Sequence, residues 1–185
     1  MAKTGKQVQG DIYQLLKDST LYTMISGEVY RSGYRPRDSR QEDAVVIFTT
    51  GLPDQIQTGV VTVNIFVPDI DPCQNGVLDE DGERTEEVER LAQAWVDSLT
   101  AEVSCYKFRL MQTIHTADEP DINQHFVVVK LAYEYFGDDY APIRIPQAAV
   151  IDATDGDGNK GLSPVLVTED GSVISIQPVM TKNNN

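Results

Sequence analysis

Imidazole is the side chain that exchanges a proton near neutral pH, so the chain's two histidines are the natural start. His115 and His125 stand near the two ends of one predicted hairpin loop, with Asp118 and Glu119 between them. Facing each other across the ladder, they would suit a metal or a general base. The plainer reading makes them polar residues at strand ends. No Ser, Cys or Lys stands in a nucleophile motif, and no glycine-rich phosphate loop follows a strand. With so few candidates, no enzymatic activity and no cofactor are expected.

Two acidic stretches have the spacing with which a calcium loop begins. Asp155, Asp157 and Asn159 fall at positions 1, 3 and 5, but Lys160 stands at position 6 and Leu166 at position 12. Asp79, Asp81 and Glu83 repeat the spacing, with Arg84 and Arg90 at the same two later positions. A calcium loop needs Gly at position 6 for its sharp turn and a bidentate Glu at position 12. Both stretches therefore read as solvated turns, with a calcium-taking β-rich binding module as the alternative. Cys73 lies in a loop and Cys105 opens a strand. Two such cysteines make neither a zinc site nor a disulfide framework.

The arginines are more pointed. Four of the chain's eight, Arg31, Arg35, Arg37 and Arg40, sit within ten residues, in a chain whose net charge is -14. Tyr30, Gly33, Tyr34 and Pro36 accompany them. Guanidinium groups fork carboxylates and stack on aromatic rings, which suits a surface that meets a partner. Arg31, Tyr34, Arg35, Arg37 and Arg40 are thus the expected partner-binding residues. A solvated connection whose charges pair with local acids is the alternative. A balance this negative disfavours general nucleic-acid wrapping.

These residues need a scaffold, and 185 residues at 41% hydrophobic composition give one domain with a core, plus a small appendage. No run approaches the roughly 18 apolar residues of a membrane span. The opening residues, Met1 to Gln7, carry no apolar signal stretch, so synthesis in a cytoplasm is expected.

Val8, Ile12, Leu15 and Leu16 stripe a helix over residues 7–19. Residues 28–30 suit a brief strand. Residues 44–50 and 60–67 form β-prone runs joined as a hairpin. Val88, Leu91, Ala92, Trp95 and Leu99 stripe a second helix, with Thr85 as its expected cap. Tyr106 to Ile114 alternates as one strand, residues 116–123 read as a loop, and a return strand runs from His125 to Phe136. The expected fold is α+β: about four antiparallel strands with two helices packed on one face. Residues 1–140 form that domain. Residues 141–185 form a C-terminal β extension, with strands near 148–151, 165–168 and 173–176 and a turn at residues 169–172.

This succession of features resembles the tail-terminator (tail-completion, neck) proteins of long-tailed bacteriophages. Its carriers are the helix ending at Leu15-Leu16, then Gly27 to Tyr30, Pro36, Glu42 to Ile47 and the strand Val61 to Val67. The helix with Val88, Leu91 and Trp95 and two closing strands complete it. The match covers residues 8–136; the last 45 residues depart from the usual compact length. The resemblance implies a structural virion protein, made in the host cytoplasm. Such proteins form hexameric rings that end the tail tube, meet the head-tail connector, and leave a lumen through which genomic DNA passes unbound. Arg31, Arg35, Arg37 and Arg40 would then contact a sister subunit, the tube or the connector. Charge reversal of Arg35 and Arg37 would weaken assembly and leave the monomer folded. Another connector or baseplate ring protein fits the same features.

Overall fold

The structure, a computed structural model, describes residues 2–101 and 105–138 and the backbone of three strands at 147–154, 160–167 and 173–175. The chain divides into two compact units, Met1–Ala141 and Pro142–Asn185.

The first unit is α+β. Helix α1 spans Gly5–Lys17 and opens with a reciprocal cap. Gln7 N–H donates to Thr4 Oγ1 at 3.4 Å, and Thr4 N–H to Gln7 Oε1 at 2.8 Å. Val8, Ile12 and Leu16 are fully buried, as their spacing requires. Gln9 is buried beside them, its Nε2 donating to the Val46 carbonyl at 2.7 Å. A short helix α2 (Thr20–Met24) follows, capped by Ser19 and buried through Leu21.

Strands β1 (Val29–Arg31), β2 (Ala44–Leu52) and β3 (Gln57–Pro68) come next, then helix α3 (Gly82–Ala101). Helix α3 starts three residues before the expected cap. Asp81 Oδ1 accepts the Arg84 N–H at 3.0 Å, so Asp81 caps the helix. Thr85 lies buried inside the first turn and donates to Glu80 Oε1 at 2.7 Å. Strands β4 (Tyr106–Leu110), β5 (His115–Glu119) and β6 (Gln124–Tyr135) finish the unit.

The sheet has six strands rather than four, in the order β1-β2-β3-β6-β4, with β5 also paired to β6. It is mixed rather than antiparallel, because β1 runs parallel to β2, with Val29 opposite Ala44. A parallel pair needs a crossover of about a dozen residues. Residues 32–43, which hold three of the four clustered arginines, are that crossover.

The expected single strand from Tyr106 to Ile114 is broken. The Met111 N–H makes the last β4 bond, to the Lys130 carbonyl at 2.9 Å. A regular ladder would set residue 113 opposite Val128, yet His115 stands there, so two extra residues bulge out. The first half of the expected loop after it, residues 116–119, belongs to strand β5. Its turn into β6 is made by Pro120 and by Asn123 at φ 52°.

One sheet face is core. Val61, Val63, Ile65, Val127, Val129, Leu131 and Tyr133 pack with Val8, Ile12, Leu16, Val88, Ala92, Trp95, Val96 and Leu99 in one cluster. Each fully buried aliphatic side chain contributes about 1.5–3 kcal/mol. The other face carries Val60, Thr62, Asn64, Phe66, Phe126, Val128, Lys130, Ala132 and Glu134, all half-buried.

The second unit contains a three-stranded antiparallel sheet: β7 (Gln147–Thr154), β8 (Lys160–Val167) and β9 (Val173–Ser175). Asp155, Asp157 and Asn159 lie outside the described residues, as does the turn at 169–172.

Candidate assembly surface

The crossover is clamped to the body at several places. At its centre, Arg35 Nε donates to Asp43 Oδ2 at 3.0 Å and Nη2 donates to Gln124 Oε1 at 2.7 Å. The guanidinium carbon lies 4.0 Å from the Phe66 ring centre. Asp43 and Gln124 are fully buried. Asp43 also accepts from the Glu28 N–H at 3.0 Å and from the Ser39 hydroxyl. Gln124 Nε2 returns to the Ser39 carbonyl at 2.9 Å. Both Asp43 carboxylate oxygens and both polar atoms of the Gln124 amide are thereby hydrogen-bonded, which is what buried polar groups demand.

At the crossover's end, Glu42 forks Arg84 of α3. Arg84 Nε meets Glu42 Oε1 at 2.6 Å and Nη2 meets Oε2 at 2.8 Å. Arg84 Nη2 also donates to the Met24 carbonyl at 2.7 Å, tying in α2. Burial pushes the Glu42 carboxyl up, but the Arg84 guanidinium and the Ser26 N–H outweigh it and hold the group below the usual carboxylate range.

The clustered arginines therefore divide. Arg35 is committed inside the subunit. Arg40 Nη1 donates to the Ile122 carbonyl at 3.0 Å and latches the crossover to the turn before β6. Arg31 leaves β1 and lies 5.3 Å from the Tyr13 ring centre of α1. Its guanidinium also packs close over Gly10, where a Cβ would stand 3.1 Å from Nη2. Tyr13, Val29, Tyr30, Arg31 and Tyr34 line a cleft of about 320 Å³ at the β1 edge of the sheet. Tyr34 is 73% exposed, and Arg37 is exposed as well.

The histidines are not brought together. His115 pairs with Val128 and His125 with Asp118, so their side chains take opposite faces of the sheet. His125 Nδ1 contacts Asp69 Oδ1 at 2.7 Å, with Asp118 Oδ1 3.8 Å from Nε2. Burial lowers its proton affinity, but the Asp69 hydrogen bond and the charges of Asp69, Glu80 and Asp118 win and raise it. His115 Nδ1 lies 3.1 Å from the Thr113 carbonyl. Among the described residues no group of three or more His, Cys, Asp or Glu side chains could hold a metal ion. Cys73 and Cys105 are free thiols.

Sequence reasoning missed the half-buried sheet face itself. Side by side across the strands stand Val45, Asn64, Val128 and His115, then Ile47, Thr62 and Lys130, then Thr50, Val60, Ala132 and Arg109. Beyond them come Leu52, Thr58, Glu134 and Lys107. Alternation within each strand was the available signal, because the residues between the core positions are themselves often Val, Ile or Phe. Within these rows Lys107, Arg109 and Lys130 stand with one acid, Glu134, in an otherwise acidic chain, while Glu119, opposite Gln124, lies on the same face toward its other end. Near this end lies a groove of about 350 Å³, with Leu52 68% exposed at its rim. An apolar, cationic sheet face on an acidic body has the chemistry of a contact surface.

Comparison with known protein families and with curated proteins finds no match to this chain. No helix among the described residues is long and apolar enough to cross a membrane.

Proposed function

We propose that this chain is a structural ring subunit of a phage virion. In this reading it sits at the head-proximal end of a long tail, ends the tail tube, joins it to the head-tail connector, and works without catalysis. The observation that carries self-assembly is the half-buried sheet face, where apolar side chains and three cations collect on a chain of net charge -14. The order of elements supports the tail placement, since it follows the features that resemble tail-terminator proteins. Arg31, Tyr34 and Arg37 supply a second, outward-facing contact at the sheet edge, suited to the tube, the connector or a sister subunit. An acidic subunit also suits a lumen through which DNA slides, because like charges do not adhere.

The test is native mass spectrometry together with negative-stain imaging, alone and with purified long-tail tubes. A sixfold ring, free or capping a tube end, is the expected result. A protein that neither forms rings nor binds tube ends overturns the reading.

A further inference from the structure

Residues 69–81, between β3 and α3, fold into a small finger. Ile70 and Asp79 exchange backbone hydrogen bonds at 3.0 and 2.8 Å, closing its base. The Asp71 carboxylate accepts the Asn75 and Gly76 N–H groups at 3.1 and 2.7 Å, closing its tip. His125 holds Asp69 at the root. The finger contains Asp69, Asp71, Asp79, Glu80 and Asp81 and no basic residue. It also exposes Ile70, Val77 and Leu78, with Val77 64% exposed.

The groove at the other end of the sheet has the opposite character. Leu52, Val60, Ala132 and Met111 give it apolar walls, and Lys107 and Arg109 outweigh its one acid, Glu134, which lies 4.0 Å from Lys107 Nζ. The finger leaves the sheet just after Pro68, whereas the groove is built around Thr58, Gly59 and Val60 of the same strand. Ten residues of strand separate Gly59 from Asp69, a distance of roughly 30 Å at the usual rise. A finger therefore cannot enter the groove of its own subunit.

We propose that the finger of one copy docks in the groove of the next, with Val77 and Leu78 against Leu52, Val60 and Met111. Asp79 and Glu80 then face Lys107 and Arg109. Two different patches meet, so the contact is heterologous and passes head to tail from copy to copy. Each subunit keeps one finger and one groove to offer, which is the connectivity a closed ring requires. Opposite charge at the contact sets its direction and excludes groove-to-groove pairing. The proposal rests on the reading of this chain as a self-assembling subunit and names the surfaces that assemble.

Two variants test it. A groove variant carries Lys107→Glu and Arg109→Glu; a finger variant carries Val77→Ser, Asp79→Asn and Glu80→Gln, so that the two altered surfaces do not complement each other. Unfolding curves first establish that both are folded, and sedimentation then follows wild type, each variant and their equal mixture from micromolar to millimolar concentration. Wild type is expected to associate, and each variant alone to associate at least about tenfold more weakly. The mixture is expected to stop at dimers, because the groove variant's intact finger meets the finger variant's intact groove. A wild type that stays monomeric to millimolar concentration overturns the proposal, as do variants that associate like wild type or a mixture that does not pair. Tube capping is scored separately by imaging. Rings that form normally from the groove variant overturn the finger-in-groove contact and leave the ring reading standing. A wild type that pairs through finger and groove but never caps a tube overturns the ring reading and leaves the contact standing.

Discussion

The Arg35 guanidinium lies 4.0 Å from the centre of the Phe66 ring while its Nε holds the buried Asp43 carboxylate. This arrangement separates two roles that the arginine cluster had seemed to share. Arg35 positions the crossover, so removing it leaves Asp43 as an uncompensated buried charge. Arg35→Ala is expected to lower unfolding free energy by about 3–5 kcal/mol, read in urea melts. Charge reversal at Arg35 therefore reports on folding before it reports on assembly. Melts of the variant within 0.5 kcal/mol of wild type, roughly the scatter of neutral surface changes, would rule the clamp out.

Gly27 is held against the same carboxylate. A Cβ at that position would stand 2.5 Å from Asp43 Oδ1 and 2.8 Å from the Glu42 backbone. The backbone cannot yield without moving β1 away from β2. Gly27→Ala is expected to destabilise the fold by about 1–3 kcal/mol. The check is the urea midpoint, which should fall at an unchanged slope; a midpoint equal to wild type contradicts the contact.

His125 gives the first unit a pH dependence with a defined sign. Its proton is held more tightly in the folded chain than in the unfolded one, through Asp69 first and then Glu80 and Asp118. The stabilisation is fully present below the unfolded value of about 6.5 and is lost as pH rises through the higher folded value. Urea melts should therefore show a stability loss above neutral pH that His125→Gln abolishes. The finger's root should loosen over the same range, read as faster amide exchange near Asp69. An identical pH slope in wild type and variant would show that His125 is not its source.

The helical stripes were legible because burial follows their spacing. Val8, Ile12 and Leu16, and Val88, Ala92, Trp95 and Leu99, are buried where their periodicity places them. The strand runs at residues 44–50 and 60–67 were legible for the same reason. What local pattern could not carry was pairing. Nothing in Val29 to Arg31 says that it runs parallel to Ala44 to Val46, because that depends on where the crossover lands. Nor does alternation reveal the two-residue bulge between β4 and β5, which moves His115 from opposite Phe126 to opposite Val128. The capping of α3 by Asp81 turned on a choice among several nearby acids and hydroxyls. Among the arginines, type and clustering marked the segment, but only packing separates Arg35, which is half-buried, and Arg40, which is exposed yet bound to the Ile122 carbonyl, from Arg37, which is exposed with neither contact.

That separation yields the sharpest test of the sheet-edge contact. Arg37 is exposed and takes no part in the Asp43, Gln124 or Ile122 contacts that hold Arg35 and Arg40. Tyr34 is exposed too and lines the cleft that also holds Arg31. Surface substitutions away from buried networks stay within about 0.5 kcal/mol of wild type. Arg37→Glu and Tyr34→Ser should therefore leave the unfolding midpoint unchanged. If the sheet edge meets a partner, the same pair should slow tube capping or ring formation, with the larger effect at low salt, because reversing an exposed rim charge acts mainly on encounter. The comparison with Arg35→Ala is decisive. A sheet edge that binds loses assembly at constant stability in the Arg37 and Tyr34 variants, whereas a loop with only a folding role loses assembly solely when Arg35 is removed and the midpoint falls with it.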